Sequence, residues 1–411
     1  MIYIFFTKDE SFDFELAPLC EKGSRRVVVL PEVLYVQDKA QLDAFFTDVV
    51  LTEAFDFETI EAIVDAQVSA HPFEELVLLT CDEDFMLTVA RLREKYGVAG
   101  DGVEVVTRFT HKDQMKDCLR ARAPNVDLPR FELFDPKTFK RVNGHYLAHI
   151  EDYLHFPVFV KPINQCATNN AAKLTSQDEL RSWCTSHTRD KTIYEFDEFI
   201  DGELYHCDTV KVDGRIASVF VSRYNKPCFD FMAGNMRASI LLPFDSQDYE
   251  ILRAFNDEVL KGLDTPDNAV THLEVFRTKE GRTIFLEIGL RPPGANIPKM
   301  YTKCLGVNIQ EAHFLMQLRR KPNTEVKQEY FGAMCDFPIM GGVVDTYNPL
   351  PALESQTELT WFVEPGQKVH ASRNVVERSC MLMLLHKDQE AVERDITKLG
   401  SWQSCTYRPL A

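Results

Sequence analysis

Glu274, Glu287 and Arg291 form the densest concentration of chemistry in the sequence. They lie in HLEVFRTKEGRTIFLEIGLRPPGAN, residues 272–296. HLEVFRT and TIFLEIG read as strands, and KEGR between them supplies turn chemistry. An antiparallel hairpin of this length can set its two acids side by side. Adjacent carboxylates repel unless a cation sits between them, so removing one is expected to relieve strain in the metal-free chain. Hard oxygen ligands of this kind suit Mg²⁺, which also binds substrate phosphates. The planar fork of Arg291 matches phosphate or carboxylate oxygens. Two acids on a hairpin are ordinarily a solvated face. Glu287, however, sits inside the apolar run IFLEIG, where an unpaired carboxylate is expensive. That context favours a magnesium–nucleotide site.

One lysine has suggestive company. Lys161 ends the apolar run HFPVFVKP and precedes the loop INQCATNN, whereas Lys173 reads as solvated. Lys112 opens the helical stretch HKDQMKDCLRARA. No GxxxxGK[ST] is present, so any phosphate site is not a P-loop. The first strand lacks a GxGxxG sequel, which argues against a dinucleotide site there. Asp82, Glu83 and Asp84 follow a buried strand and suit the start of a helix, where they complement its dipole. His206 and His272 are the candidate bases, although a histidine in a strand is more often a packing residue.

These side chains need a scaffold, and 411 residues suffice for several domains. Hydrophobic content of 45% and charged content of 27% are ordinary for a globular protein. The formal charge of −17 disfavours nucleic acid and anionic membranes as partners. The 11 cysteines show no CxxC pairing, so reduced thiols in the cytoplasm are expected. MIYIFF is too short for the apolar core of a signal peptide, and no run approaches a membrane span.

Residues 1–105 alternate strand and helix, with helices expected at 41–46, 57–70 and along DFMLTVARLREKYG up to Gly97. That pattern predicts a parallel sheet covered on both faces. From 106 the pattern changes to short antiparallel strands. HFPVFVKP, TIYEFDEFI, TVKV and IASVFVSRY are strands, DGELYHCD is a turn, and helices occupy 177–186, 248–261 and 308–318. Residues 326–411 hold further strands. The division expected is 1–105, 106–325 (as 106–190 and 191–325) and 326–411.

Taken in order, these segments resemble an ATP-grasp ligase, over about residues 1–319. Lys112 matches the family's helix-opening lysine and Lys161 the strand-ending one. DEFIDGE, residues 197–203, is similar to the adenine hinge. The resemblance implies that Glu198 and the backbone of Ile200 meet adenine, and that Glu203 meets the ribose. It assigns Glu274 and Glu287 to the metal, and Arg291 with the turn 292–295 to the catalytic arginine and its turn. GELYHCDTVKVDGR and EIGLRPPGANI look closest to dipeptide-forming L-amino-acid ligases of the carnosine-synthase type. The implied fold is mixed α/β: an N-terminal parallel α/β domain, a central ATP-grasp domain of two subdomains, and a C-terminal α+β domain. The implied reaction joins a carboxylate, an amino acid by preference, to an amine through an acyl phosphate, releasing ADP and phosphate. Its cofactors are ATP and Mg²⁺, with Mn²⁺ as a substitute. Its partners are small molecules, and a homodimer is allowed. The alternatives are a ligase for another carboxylate or a nucleotide-binding protein without catalysis. Two departures stand out. Gly289 occupies the place of a metal-binding Asn, and the flap INQCATNN has no glycine, although Asn169 and Asn170 tolerate positive φ.

Overall fold

The computed structural model describes residues 1–8, 11–165 and 169–409. Strand β1 (Ile2–Phe6) is apolar on both faces and fully buried. It is joined by β2 (Arg25–Leu30), α1 (Glu32–Phe45), β3 (Asp48–Leu51), α2 (Phe57–Ala70), β4 (Leu76–Thr80) and α3 (Glu83–Tyr96). The four strands are parallel in the order β3-β2-β1-β4, as the continuous apolar runs of β1, β2 and β4 predict. Ile2, Ile4 and Phe6 face Ile60, Val64 and Phe85 on one side. Tyr3 and Phe5 face Phe45, Phe46 and Phe314 on the other. Helix α1 starts well before the expected 41, because Pro31 marks its N-cap. The short, half-exposed β3 gave no strand signal. Helix α3 ends at Gly97, whose φ of 64° needs a residue without Cβ strain.

The chain continues through α4 (Val103–Thr107), α5 (Lys112–Arg122), β5 (Phe131–Leu133), α6 (Pro136–Leu154), β6 (Val158–Pro162), β7 (Ala172–Leu174), α7 (Gln177–Ser186) and β8 (Tyr194–Glu198). The strands form an antiparallel sheet, β5-β8-β6-β7. Phe139, Leu147 and Ile150 of α6, with Leu180 and Trp183 of α7, cover Val158, Val160 and Phe196. Helix α6 was not expected from the sequence. It is kinked at Val142, which interrupts the helical period.

A third sheet follows, in a stretch that holds β9 (Gly202–Val212), β10 (Arg215–Tyr224), β11 (Arg237–Leu241), α8 (Gln247–Gly262), β12 (Ala269–Thr278), β13 (Thr283–Gly289), α9 (Ile297–Leu305) and α10 (Ile309–Gln317). The last part holds β14 (Phe331–Pro338), β15 (Met340–Tyr347), β16 (Gln356–Trp361), β17 (Lys368–Ala371), β18 (Arg378–His386), α11 (Gln389–Leu399) and β19 (Cys405–Arg408). Eight strands form one sheet, β13-β12-β9-β10-β11-β14-β18-β16. The pairing of β11 with β14 carries this sheet across residue 326. Strands β17-β15-β19 form a separate small sheet. DGELYHCD, expected as a turn, enters β9 at Gly202. Its residues 204–208 are buried between β10 and β12, and that tertiary pairing overrides the local Asp-Gly signal. Among the described residues no helix is long and apolar enough to cross a membrane. The ten described cysteines are free thiols.

Candidate active site

The β12–β13 hairpin places Glu274 directly opposite Glu287. Leu273 pairs with Ile288, whereas Val275 pairs with Phe285, so Leu286 is the extra residue of a bulge beside the two acids. Both carboxylates line two cavities at once, one of about 190 Å³ and one of about 470 Å³. They form part of the wall shared by the two cavities.

The smaller cavity lies between the two sheets. Its apolar lining includes Phe159, Phe199, Ile200, Leu204, Phe276 and Leu286, a surface suited to a planar base. Lys112 and Lys161 also line it. The Lys112 Nζ donates to the carbonyl of Gln165 at 2.8 Å and lies 3.1 Å from Glu287 Oε2. Burial works against the charge of Lys112, but Glu287, joined by Glu83 and Glu195, prevails and raises its pKa. The same contact holds Glu287 below the usual range in spite of burial. The metal-free acids therefore do not simply repel, because a lysine compensates one of them. This corrects the expected relief on removing Glu287.

Lys161 lies 3.0 Å from Asp197 Oδ2 and 3.6 Å from Glu195 Oε1. Lys116, fully buried, donates to the same acids at 2.6 and 2.9 Å. Burial opposes charge on Asp197, but Lys116 and Lys161 prevail and hold its pKa down. This four-membered network fixes the strand that leads into the hinge. Lys116, Glu195 and Asp197 were not expected from the sequence, although two signals were present. Lys116 follows Lys112 by one helical turn on the same face. Glu195 and Asp197 alternate with Tyr194 and Phe196 at the strand period of two.

Glu198 and Ile200 line the same cavity. The Glu198 carboxylate accepts from the backbone N–H and the Nε of Arg130, at 3.1 and 2.8 Å. Glu203 is not among the lining residues. Its side chain is 64% exposed, and its carboxylate accepts from the Tyr205 hydroxyl at 2.9 Å. Lys173, read as solvated, is exposed yet lines the cavity, with its Nζ 3.8 Å from the Phe199 ring centre. The expected flap, 163–170, includes Cys166, Ala167 and Thr168, which lie outside the described residues. Asn170 does take positive φ, 55°.

The larger cavity contains Arg291. The Arg291 Nε donates to Glu83 Oε2 at 2.8 Å, and a second guanidinium nitrogen bonds the same oxygen. Glu83 opens α3, so the N-terminal unit restrains the arginine directly. Gly289 lies beneath it: a Cβ there would sit 3.1 Å from Arg291 Cγ. A larger residue would have to displace the arginine, which gives a packing reason for the missing Asn.

Behind Glu274 runs a buried polar chain. Glu274 Oε1 accepts from the Tyr224 hydroxyl at 3.2 Å and lies 3.5 Å from His272 Nε2. Asp208 joins His272 Nδ1 at 2.6 Å, His206 Nδ1 at 2.8 Å and the Tyr301 hydroxyl at 2.6 Å. Burial disfavours charge on His272, but Asp208 raises its pKa to about 9. That shift favours the protonated ring, which faces Glu274 and is a poor candidate for a base. His206 is fully buried between Asp208 and Ser239 Oγ, which fits a structural role. His206, Asp208 and His272 bring ligand atoms within 4.8 Å of one another. Their mutual hydrogen bonds already satisfy them.

No family model matches the chain. A solved L-amino acid ligase from Bacillus licheniformis superposes over 99% of both chains, with a TM-score of 0.74 at 16% identity. The chain has the ATP-grasp fold. On the same ATP-grasp frame, a carboxyaminoimidazole ribonucleotide synthase from Aspergillus clavatus, solved with ATP, superposes over 97% of both chains with a TM-score of 0.69 at 12% identity. In sequence, the chain is 24% identical over 318 residues to the L-arginine-specific L-amino acid ligase of Bacillus subtilis. That match spans 74% of this chain and 72% of the relative.

Proposed function

We propose that this chain is an ATP-dependent ligase that joins the carboxylate of an amino acid to an amine through an acyl phosphate. The observation that carries the reading is the position of Glu274 and Glu287. They face each other on the wall between an apolar, lysine-lined cavity and a polar cavity holding Arg291. The similarity to amino acid ligases in sequence and in fold supports it.

In this reading ATP lies in the smaller cavity, with adenine against Phe159, Ile200 and Leu286. Glu198 is held at the hinge by Arg130. Lys112 and Lys161 meet the phosphates. The two opposed carboxylates provide a hard, anionic oxygen set that fits magnesium, with Lys112 as the neighbour that compensates Glu287. Magnesium held by Glu274 and Glu287 would neutralise phosphate charge during transfer. The substrate carboxylate enters from the larger cavity, beside Arg291. One of its oxygens attacks the γ-phosphorus, and ADP leaves. The amine then attacks the carbonyl carbon, phosphate departs with that oxygen, and the proton lost by the amine leaves on the phosphate. Arg291 stabilises the tetrahedral oxyanion. The protein's main work is to align two anions and to keep water from the acyl phosphate.

A screen of ADP release across pairs of amino acids tests this directly. Stimulation by particular pairs is expected. Glu287→Gln should abolish it while the fold persists, with a modestly lower melting temperature because Lys112 loses its counter-charge. ADP release that is unstimulated by every pair, or a Glu287→Gln variant with normal turnover, would reject the proposal.

A further inference from the structure

The larger cavity contains a charge arrangement that the reaction above does not use. Arg237 begins β11 and pairs across the sheet with Asp336 of β14. Arg378 begins the next strand, β18. Arg237 donates from Nε and a terminal nitrogen to the same oxygen of Asp336, Oδ2, at 3.2 and 2.6 Å. Arg378 lies 3.5 Å from the other oxygen, Oδ1, beyond good hydrogen-bond geometry. Among the described residues, Asp336 Oδ1 and Arg378 Nε are buried without a hydrogen-bond partner. The remaining terminal nitrogen of Arg237 meets the Cys228 sulfur at 3.8 Å.

Two guanidiniums thus share one carboxylate. Arg237 is 8% exposed, Asp336 2%, and the Arg378 side chain 14%. A buried surplus positive charge is costly unless an anion completes it. Both arginines line the cavity that also contains Arg291 and Glu274. We propose that Arg237 and Arg378 bind a second substrate carboxylate, the one that is not activated and that survives in the product. This rests on the ligase reading above. One surplus charge matches one carboxylate. A phosphate dianion suits the cavity less well, because Asp82, Glu83, Asp84 and Glu377 also line it. The guanidinium fork is built for carboxylate oxygens. The group has two sources: the α-carboxylate of an amino acid serving as the amine, or a side-chain acid on either substrate.

The test is calorimetric titration of the full chain, saturated with MgADP, with each standard L-amino acid and its α-amide. Glutamate against glutamine and aspartate against asparagine report on side-chain acids, and inorganic phosphate is the control. At least one free acid should bind about tenfold or more tightly than its amide. In Arg378→Gln that preference should fall to within about threefold, with MgADP affinity unchanged. Asp336→Asn removes the competing anion, so it should keep or increase the preference even though the fold is less stable. A merely structural cluster would lose affinity for acid and amide alike in both variants. Loss that follows the α-amide identifies the α-carboxylate, and loss that follows glutamine or asparagine identifies the side chain. Equal binding of acids and amides overturns the proposal. So does a preference that survives Arg378→Gln, tighter binding of phosphate, or no amino-acid binding at all. Missing ADP release with intact, Arg378-dependent binding would count against the ligase reading and not against this site.

Discussion

Arg291 shows how much a single side chain depends on its surroundings. It rises from a segment stiffened by Pro292 and Pro293, packs over Gly289 and is held by Glu83. Arg291→Lys keeps the charge but loses the planar fork. The rate of ligation should fall by more than about tenfold, at least about 1.4 kcal/mol of transition-state stabilisation, while ATP affinity changes less. Steady-state kinetics beside nucleotide titration checks this, and near wild-type ligation would leave the arginine a structural role. A second contrast concerns the lysines of the nucleotide cavity. Lys161→Ala should weaken ATP binding more than Lys173→Ala in the same titration, because Lys161 is buried beside Asp197 whereas Lys173 is exposed over Phe199. Equal effects would remove Lys161 from the phosphate site. Glu287, Lys161 and Arg291 stood out in the sequence by their apolar or stiff contexts and Glu274 by its place across the hairpin, whereas Lys112 stood out only by the family resemblance; the structure gathers all five around two adjoining cavities. Glu83 as the partner of Arg291 was not, since the pair is 208 residues apart.

At the scale of elements, α10 ties the N-terminal unit to the rest. His313 Nε2 donates to the carbonyl of Thr80, at the end of β4, at 3.0 Å, and Gln317 donates to the same oxygen at 2.7 Å. Burial pushes the His313 pKa down to about 4, so the folded chain keeps the ring neutral. Between about pH 4 and pH 6.5 the unfolded chain binds the extra proton, and stability rises with pH across that window. The wild type should therefore lose more stability than His313→Asn on acidification from pH 7 to pH 4, by up to about 3 kcal/mol. Chemical denaturation at several pH values measures the difference, and parallel profiles would refute it. Strong periodicity made α2, α3, α5, α7 and the parallel β1 and β4 readable. The kink in α6 and the Asp-Gly at the start of β9 hid those elements, because their local signals were overridden by packing.

Across the whole molecule, one eight-stranded sheet links the metal-type hairpin at its β13 edge to the arginine pair near its far side. The smaller cavity, proposed for the nucleotide, lies where this sheet faces the smaller antiparallel one, and the polar cavity lies where α3, β11 and β18 converge on the hairpin. The general ATP-grasp arrangement was legible from the order of motifs. The continuity of β11 with β14 was not, because strand partners distant in sequence leave no local trace. The central claim is that the substrate carboxylate is activated as an acyl phosphate. It is tested by supplying that substrate with ¹⁸O in its carboxylate and analysing the products by chromatography and mass spectrometry. ADP is expected together with inorganic phosphate that carries one labelled oxygen, formed in step with the amide. AMP and pyrophosphate, or phosphate free of label, would contradict it.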